Sequence, residues 1–391
     1  MNVTFLTPSV SRALGGIYEI ERNLAQALVG HTPASVHVLS LTDEYTEEDL
    51  PEWHPLSPEV VPVVGPSAFG YAPELKNRLA IQDPDLVHLH ALWMYPSVVS
   101  LQWTRRRGTP HFITINGMLD PWAVQNARWK KRIAGWLYEH ENLRTAACLQ
   151  VNTEIEYQAV REYGINTPIC IIPNGVSLPV DPVLSAPPWT DHILPDQKVL
   201  LFLGRIHPKK GIDRLLEAWK RTRTVSADAD SWSLAIVGWD DGGHLPPLEA
   251  YVEENDLANS VFFLGPMFGE NKMAAFHHAD AFILPSHSEG LPMAVLEAWS
   301  FQLPVLMTDG CNFPDGFDAG AAWRVTTDPN VIAEGLHQLF ETSVKERQAM
   351  GARGRSLVEA KYTWPRVAEQ MYEVYRWATN GGEAPETIRF D

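Results

Sequence analysis

The chain of 391 residues contains little cysteine. Its three cysteines, Cys148, Cys170 and Cys311, are scattered along the sequence and form no Cys-x-x-Cys pair. A small odd number of separated cysteines does not suit a disulfide framework and is typical of a reducing compartment. We therefore predict a cytoplasmic protein without disulfides.

The sequence also lacks long apolar runs and an excess of positive charge. No run of eighteen apolar residues occurs, so no membrane-spanning helix is predicted. The first residues, MNVTFLTPSVSRALGG, do not place a basic stretch before a long apolar one, and we predict no signal peptide. With 31 basic and 48 acidic residues the formal net charge is -17, which is the wrong sign for a general nucleic-acid binder.

Short apolar runs rich in β-formers alternate with segments of helical period in both halves of the chain. The runs are NVTFLTP, VHVLSL, LVHLHAL, HFITIN, CLQVNT and ICIIPNG in the first half, and KVLLFLG, SLAIVG, VFFLG, AFILPS and PVLMTD in the second. Continuous apolar runs of this length are typical of parallel strands that are covered on both faces. Their alternation with helices predicts an α/β fold made of two doubly wound, Rossmann-like domains.

A proline-rich segment separates the two halves. Residues Val176 to Gln197 include five prolines, which predicts a linker without regular structure. We place the domains at residues 1–178 and 196–363, and we expect the final helix, about 364–380, to pack back on the first domain. The tail from Asn380 to Asp391 is predicted to be frayed. Because ligands of such folds bind beyond the carboxyl ends of the strands, two facing domains would hold a ligand in the cleft between them.

The stretch SEGLPMAVLEAWSFQLPV, from Ser288 to Val305, follows a predicted strand and contains a predicted helix. Pro292 suits the first helical turn, where its missing N–H costs nothing, and Gly290 lets the backbone approach a ligand. The free amides near Leu291 and Met293 would point at whatever sits above the helix. A diphosphate is a natural ligand for such a helix N-terminus.

Two carboxylates, Glu289 and Glu297, lie eight positions apart in this stretch. At ~1.5 Å per residue, Glu297 is roughly 6–8 Å along the axis from the helix start, about the span from a diphosphate to a ribose. One carboxylate could then hold a sugar and the other a ribose. By itself the spacing also fits an ordinary strand–turn–helix with surface acids.

Two further motifs follow the first strand of each half. In GRIHPKKG, Arg205 and Lys210 flank a short loop before a helix and could neutralise a diphosphate, although solvated surface charge is the alternative. Near the N-terminus, Gly15 and Gly16 open a helix and would allow close approach to a phosphate or sugar. The pair does not form the Gly-x-Gly-x-x-Gly dinucleotide fingerprint, and taken alone such a pair is more often just a turn.

Taken together, Gly-Gly, IIPNGV, GRIHPKKG and SEGLPMAVLEAWSFQLPV, in this order, resemble family 4 of the retaining glycosyltransferases, the glycosyl transferases group 1. The resemblance covers nearly the whole chain. It implies the GT-B fold, in which two Rossmann-like domains face each other across a cleft. It also implies transfer of a sugar from a nucleotide-sugar with retention of anomeric configuration, without a required metal or cofactor.

The resemblance assigns roles residue by residue. Arg205 and Lys210 match the family's diphosphate-binding cations, and Glu289 matches the acid that contacts the donor sugar. Glu297 matches the acid that holds the ribose, and Gly16 matches the glycine loop at the phosphates. We therefore expect a catalytic group of Arg205, Lys210 and Glu289. The donor-binding group is expected to be Gly16, Gly290, Leu291, Pro292, Met293 and Glu297.

Three residues of the first half are candidates for contact with the acceptor or the donor sugar. Family members often carry His in the loop after the strand HFITIN, where this chain has Asn116, which can still hydrogen-bond a sugar hydroxyl. His90 and Trp93 lie at the end of the strand VHLHAL and could face the acceptor. His88 and His90, at strand spacing, are also a conceivable metal pair, but no convergent ligand is visible nearby, and we predict no metal site.

The segment from Arg128 to Arg144 is basic and partly apolar. Trp122, Trp129 and Trp136 recur every seven residues, with Arg128, Lys130, Lys131 and Arg132 beside them. Such a segment could dock on an anionic membrane surface, or it could be a core-packed helix with a solvated basic rim. The sequence leaves both interpretations open.

These features together predict a glycosyltransferase on the cytoplasmic side, peripheral on the inner face of the plasma membrane. The resemblance implies that it moves a sugar from a UDP- or GDP-sugar to a saccharide or lipid-linked saccharide, and the expected role in cell-envelope polysaccharide synthesis comes from the family alone. Two alternatives remain: a nucleotide-sugar 2-epimerase of similar fold, and a non-catalytic nucleotide-sugar-binding subunit. Product release without an acceptor, or donor binding without turnover, would distinguish them.

Overall fold

A computed structural model describes residues 1–125, 128–179, 185–225 and 227–390. Contacts divide the chain into two compact units. The first comprises Met1–Gly175 and Trp364–Asp391, and the second comprises Val176–Thr363.

The strands are, in chain order, β1 (Asn2–Thr7), β2 (Ser35–Leu41), β3 (Glu59–Val61), β4 (Leu86–Leu89), β5 (His111–Thr114), β6 (Cys148–Val151), β7 (Ile169–Ile171), β8 (Lys198–Leu203), β9 (Trp232–Val237), β10 (Val261–Phe263), β11 (Ala281–Leu284), β12 (Val305–Thr308), β13 (Ala322–Val325) and β14 (Ile388–Arg389).

The α-helices are α1 (Gly16–His31), α2 (Thr46–Asp49), α3 (Glu74–Gln82), α4 (Tyr95–Arg107), α5 (Pro121–Gln125), α6 (Arg128–Ala134), α7 (His140–Thr145), α8 (Glu154–Glu162), α9 (Ile212–Val225), α10 (Leu245–Glu254), α11 (Gly269–His278), α12 (Met293–Ser300), α13 (Pro314–Asp318), α14 (Pro329–Glu341), α15 (Val344–Leu357) and α16 (Trp364–Asn380). Short 3-10 turns lie at Arg12–Leu14, Leu50–Trp53, Pro208–Lys210, Ala227–Ser231 and Asp309–Cys311, and π-helical turns at Gly135–Glu139 and Val358–Tyr362.

The first unit is built on a sheet with the strand order β14-β7-β6-β5-β4-β1-β2-β3. Its strands pair in parallel except for β14, which pairs antiparallel with β7. Alternate side chains of β1 enter different cores, with Phe5 on one face of the sheet and Leu6 on the other. Both faces are therefore covered, as the continuous apolar runs predicted.

The second unit has a parallel sheet with the order β10-β9-β8-β11-β12-β13. One large core contains the side chains of β8, β9 and β11 together with Trp219, Trp232 and Trp299, which are fully buried. The predicted α/β fold with two doubly wound units is confirmed, and the carboxyl ends of β8, β9 and β11 lie side by side.

The C-terminal segment of the first unit differs from one expectation. Helix α16 packs against α1, and Tyr375 is fully buried in the core. The predicted frayed tail is wrong for the described residues, because Ile388 and Arg389 pair with Cys170 and Ile169. Ile388 is buried, so an apolar contact holds this end in place.

The proline-rich segment also carries core residues. Residues 180–184 lie outside the described ranges, but Trp189 and Ile193 are buried in the core of the second unit. The second unit therefore begins at Val176, before the boundary that we placed at residue 196. Apolar side chains, and not regular secondary structure, attach this segment.

Candidate functional site

The loops that follow β8 and β11 lie against each other in the second unit. A Cβ atom on Gly211, whose φ is +67°, would lie 2.4 Å from the carbonyl oxygen of Pro285. The amide of His287 donates to the carbonyl oxygen of Lys209 at 2.8 Å. The glycine therefore permits a close approach that larger residues would block, and it sets the two loops in register.

This approach brings Lys210 and Glu289 together. Lys210 Nζ lies 2.7 Å from Glu289 Oε1, and the two side chains are only 15% and 12% exposed. Two hydrogen bonds hold the backbone of Glu289. Its amide N–H donates to the carbonyl oxygen of Gly310 at 2.8 Å, and its carbonyl oxygen accepts from Asn312 Nδ2 at 2.6 Å. The pair is a partly desolvated cation and anion on loops that are hydrogen-bonded to their neighbours.

Cys311 lies close behind this ion pair. Burial raises the pKa of the Cys311 thiol to about 12, and the negative charge of Glu289 adds to the shift. The thiol is therefore neutral, and it donates to the oxygen of Leu284 at 3.4 Å. Cys311 supports the loop and brings no charge to the site.

Helix α12 begins directly after this loop. Pro292 occupies its N-cap position, and no side chain among the described residues caps the helix there. Gly290 is exposed, and Leu291 and Met293 are partly exposed at the start of the helix. An uncapped N-terminus beside a lysine favours an anion, both through free amides and through the helix dipole.

Glu297 lies one turn further along α12 and is held by a lysine that sequence reasoning missed. Lys272, on α11, places its Nζ 2.5 Å from Glu297 Oε1, and the two side chains are 26% and 20% exposed. No local motif marks Lys272, since its partner is 25 positions away. The lysine orients the carboxylate and balances its charge.

Arg205 is paired with Asp241, another residue of the site that sequence reasoning missed. Its Nη1 lies 2.7 Å from Asp241 Oδ2, in the loop after β9, and the arginine side chain is 54% exposed. The main chain beside it is fixed, because the Ile206 amide donates to Trp239 O at 2.8 Å. Exposure leaves Arg205 free to reorient at small cost.

The second unit thus gathers most of the predicted donor residues at one edge of its sheet. Three basic side chains there face three carboxylates: Arg205 with Asp241, Lys210 with Glu289, and Lys272 with Glu297. An arrangement of this kind can bind an anionic diphosphate and can offer carboxylate acceptors to sugar hydroxyls.

In the first unit, the glycine loop precedes α1. Gly15 has a φ of +59° and occupies the N-cap position of the helix, and Gly16 is the first helical residue. A Cβ on Gly16 would meet no atom of the described residues within 4 Å. Packing in the described part of the chain therefore does not explain why glycine stands at Gly16.

His88, in β4, and His90, directly after it, are both buried, and their rings are tilted against each other. The ring centroids of His88 and His90 are 3.8 Å apart. Both nitrogens of His88 are engaged at 2.7 Å, Nε2 with the Thr114 hydroxyl and Nδ1 with the Tyr375 hydroxyl. His88 is therefore a structural residue that joins β5 and α16 to β4.

His90 differs from its neighbour because its Nε2 is buried and has no hydrogen-bond partner in the described ranges. Burial lowers the pKa of His90 to about 3, so the ring is neutral. Its Nδ1 lies 3.8 Å from Oε1 of Glu21, a buried acid on α1 that sequence reasoning missed. Burial raises the pKa of Glu21 well above its usual range, and Thr7 donates to its Oε2 at 2.6 Å.

Trp93 and Asn116 share an unusual backbone. Their φ angles are +71° and +47°, in the left-handed region, which a bulky residue such as Trp rarely adopts and which Asn tolerates more readily. They follow β4 and β5, which are neighbouring strands with Leu89 opposite Ile113. Trp93 Nε1 and both side-chain polar atoms of Asn116 are buried without a hydrogen-bond partner in the part of the chain that is described. Strain and unused polar atoms together are typical of a ligand site.

The basic segment presents its apolar side chains outward. Trp129, Ile133, Trp136 and Leu137 are 66%, 51%, 82% and 61% exposed, so these four are not core-packed. The Trp122 side chain, part of the expected stripe, lies outside the described residues. We call the four exposed side chains the apolar patch.

One of its four clustered cations points the other way. Lys131 Nζ donates to the Ala123 oxygen at 2.6 Å and lies 5.8 Å from the centre of the Trp93 ring. Burial lowers the pKa of Lys131. Arg128, Lys130 and Arg132 are exposed beside the apolar patch.

The described residues hold no cluster of three or more His, Cys, Asp or Glu side chains arranged for a metal ion. Within the same ranges, no helix combines the length and the apolar character that a membrane crossing requires.

Two family models match the chain. The model described as glycosyl transferases group 1 matches residues 190–357, and the model described as glycosyl transferase 4-like domain matches residues 15–175. Together they cover the predicted motifs in both halves.

Curated relatives are similar over part of their length. A D-inositol 3-phosphate glycosyltransferase of Jonesia denitrificans is 26% identical over 277 residues, which are 66% of this chain and 62% of the relative. A GDP-mannose-dependent monoacylated alpha-(1-6)-phosphatidylinositol monomannoside mannosyltransferase of Corynebacterium glutamicum is 28% identical over 187 residues, 44% of this chain and 45% of the relative. The chain spans less than two thirds of the length of either relative.

Among solved structures, the crystal structure of Anabaena HepE in complex with UDP and glucose is similar, with a TM-score of 0.73 and 17% identity. The match covers 95% of this chain and 98% of that chain. A likeness of this size shows the fold. Since the family models cover both halves and the fold extends over nearly the whole length, the chain belongs to the glycosyl transferases group 1 family and has the GT-B fold.

Proposed function

We propose that this chain is a retaining glycosyltransferase that moves a sugar from a nucleoside diphosphate sugar to a hydroxyl of a saccharide or lipid-linked saccharide. One observation carries the proposal. Lys210 and Glu289, far apart in sequence, meet at 2.7 Å beside the uncapped N-terminus of α12. A cation, a helix N-terminus and a carboxylate at one point match the needs of a leaving diphosphate and a departing sugar.

The diphosphate would bind to Lys210, Arg205 and the first amides of α12. Arg205 can leave Asp241 because its side chain is 54% exposed and the exchange of one anion for another is inexpensive. Lys210 is held by Glu289 and would already point at the phosphates. Because these groups supply positive charge directly, we propose that transfer does not require a metal ion.

The two acids would hold the two ends of the donor. Glu289, before the helix, would accept hydrogen bonds from the transferred sugar, and Glu297, on the helix, would accept them from the ribose. Lys272 would keep Glu297 oriented and balance its charge, as its 2.5 Å contact indicates. Gly16, which packing does not explain, would let a phosphate or sugar approach the start of α1.

We infer a front-face route for the transfer. The acceptor oxygen bonds to the anomeric carbon while the bond from that carbon to the diphosphate oxygen breaks. The bonding electron pair goes to the leaving phosphate oxygen, which takes the proton of the acceptor hydroxyl. Lys210, Arg205 and the helix amides stabilise the charge that develops on the phosphate.

The first unit would contribute the acceptor contacts. His90, Trp93 and Asn116 offer neutral hydrogen-bonding groups, and their unused buried atoms support contact with sugar hydroxyls. UDP or GDP is the expected nucleotide. The UDP and glucose bound by Anabaena HepE support the first choice, and the GDP-mannose dependence named for the corynebacterial relative supports the second.

The apolar patch supports a peripheral place on the inner face of the plasma membrane, where lipid-linked acceptors of envelope polysaccharides lie. Four exposed apolar side chains flanked by Arg128, Lys130 and Arg132 match an anionic, partly apolar surface. Co-sedimentation with vesicles that contain phosphatidylglycerol should retain the protein, and replacement of Trp129 and Trp136 by Ala should release it.

The experiment that tests the function starts with thermal shift and calorimetry across UDP-, GDP- and ADP-sugars. The donor that binds is then incubated with candidate glycoside and lipid-linked acceptors, and the anomeric configuration of the product is read by NMR. A glycoside with the donor's anomeric configuration is expected, with and without EDTA. A rearranged sugar formed without acceptor, or binding without turnover, would contradict the proposal.

A further inference from the structure

Hydrogen bonds to the backbone amide and carbonyl of Trp93 hold this residue in its left-handed conformation. Its amide donates to Glu139 Oε2 at 2.5 Å, and its carbonyl oxygen accepts from the Tyr138 hydroxyl at 2.6 Å. Two consecutive side chains, Tyr138 and Glu139, therefore hydrogen-bond both main-chain polar groups of Trp93. These two bonds stabilise a strained conformation that Trp would otherwise leave.

Glu139 and Tyr138 are themselves held in place by neighbouring side chains. Glu139 is fully buried, and its other oxygen accepts from Asn142 Nδ2 at 2.8 Å. Tyr138 is partly buried, and its ring lies 6.3 Å from that of Phe69. Glu139 and Tyr138 lie in the π-helical turn inside the basic segment, Gly135–Glu139, and such irregular helical turns are often functional.

The side chain of Trp93, in contrast, is left with an unused donor. Its Nε1 is buried and has no hydrogen-bond partner among the described residues, although the residue as a whole is only half-buried. A sugar ring could use both parts of the indole, since its hydroxyl accepts from Nε1–H and its apolar face packs on the ring. Two polar side chains, those of Tyr138 and Glu139, thus serve to fix the position of the Trp93 indole.

We propose that Trp93 determines specificity by contacting the acceptor saccharide, and that Tyr138 and Glu139 are positioning residues that act through Trp93. The inference rests on the proposed function and names the side chains that prepare its acceptor contact. The ligand class is an uncharged sugar ring with at least one free hydroxyl beside an apolar face.

The test uses saturation-transfer NMR of the full chain with the methyl α-glycosides of glucose, galactose and mannose, in the presence of UDP or GDP. The parent should bind at least one glycoside. Trp93→Phe keeps an aromatic ring, although a smaller one, and removes Nε1–H. We expect about three- to tenfold weaker glycoside binding, the equivalent of one neutral hydrogen bond. Tyr138→Phe and Glu139→Leu should show a similar loss.

Graded and matched variants separate positioning from folding. Glu139→Gln keeps an oxygen for the Trp93 amide and should bind more glycoside than Glu139→Leu. Glu141→Gln and Trp136→Phe, on the same segment but exposed, should bind like the parent. All variants should bind UDP or GDP with unchanged affinity by calorimetry.

Three results would overturn the inference. They are no glycoside binding by the parent, parent-like binding by Trp93→Phe, or equal losses for Glu141→Gln and Glu139→Leu. Failure of the parent to bind any nucleotide or nucleotide-sugar would instead overturn the proposed function, so the two failures are distinguishable.

Discussion

The two units differ in the kind of polar group that they place at the carboxyl edge of their sheets. In the second unit, charges meet charges: Lys210 with Glu289, and Lys272 with Glu297. In the first unit, the corresponding residues are neutral and have unused atoms. Burial makes His90 neutral with a pKa of about 3, and both polar side-chain atoms of Asn116 lack a hydrogen-bond partner in the described ranges.

The two edges are therefore suited to different ligands. Paired charges can be shared with a diphosphate, whose structure is the same in every nucleotide-sugar. Neutral buried groups select a ligand by the placement of single hydrogen bonds, and each such group left unpaired costs about 1–3 kcal/mol. The first unit thus sacrifices stability at His90, Trp93 and Asn116, where the acceptor is proposed to bind.

The largest expected effect comes from breaking a pair in the second unit. Lys210→Gln should lower kcat/KM about 100- to 1,000-fold, as loss of one group that stabilises a developing oxyanion does. Steady-state kinetics with a saturating acceptor measure it. Lys209→Gln, the exposed neighbour, is the control and should keep parent-like activity.

A double variant then separates chemistry from stability. Glu289 would be left without its lysine in Lys210→Gln, whereas Lys210→Gln with Glu289→Gln leaves no unpaired charge. The double variant should regain thermal stability but not activity. Recovered activity would show that the ion pair serves folding alone.

A second prediction concerns Glu139, the buried acid of the first unit that accepts a hydrogen bond from the Trp93 amide. Burial raises the pKa of Glu139 to about 7, from an ordinary value of 4.5 in the unfolded chain. Between these values the folded protein keeps a proton that the unfolded chain has lost. Stability should therefore fall as the pH rises from 4.5 to 7, by up to about 3 kcal/mol.

Glu139→Gln removes this titration. Its unfolding free energy relative to the parent should rise between pH 4.5 and 7, because the amide stays neutral. Asn142 can turn its unused Oδ1 toward the new amide. Chemical denaturation of both proteins at several pH values measures the difference, and parallel pH profiles would refute the shifted pKa.

The smallest expected effect compares two neighbouring lysines of the basic segment. Lys130 is exposed beside the apolar patch, whereas Lys131 turns inward to Ala123 and Trp93. Lys130→Gln should weaken binding to phosphatidylglycerol vesicles about fivefold, since one charge near such a surface contributes about 1 kcal/mol. Lys131→Gln should change it less. Equal changes in co-sedimentation would show that orientation does not matter.

Much of the fold could be predicted because buried parallel strands form continuous apolar runs. The strands missed were those without such runs. Strand β3 is a three-residue edge strand next to a proline, β13 is not buried at its two central residues, and β14 has only two residues. Such strands depend on partners supplied by the rest of the sheet, which the local sequence does not contain.

The site was predictable only where one local motif holds its residues. Glu289 and Glu297 lie in one stretch, but the pairing of Lys210 with Glu289 spans 79 positions. Lys272 and Asp241 belong to no motif, and Glu139 reaches Trp93 across 46 positions. These contacts follow from packing of loops and helices, and a single sequence carries no local signal for them.

Glu289, in the loop before α12, and Glu297, on α12, are proposed to hold opposite ends of a nucleotide-sugar. Calorimetry of free UDP and GDP, with steady-state kinetics of Glu289→Gln and Glu297→Gln, tests this proposal most directly. Glu297→Gln should bind the nucleotide about ten- to a hundredfold more weakly, because a ribose contact is equal in ground and transition states. Glu289→Gln should bind it like the parent and lose a similar factor in kcat. Parent-like nucleotide binding and full kcat in both variants would contradict the account.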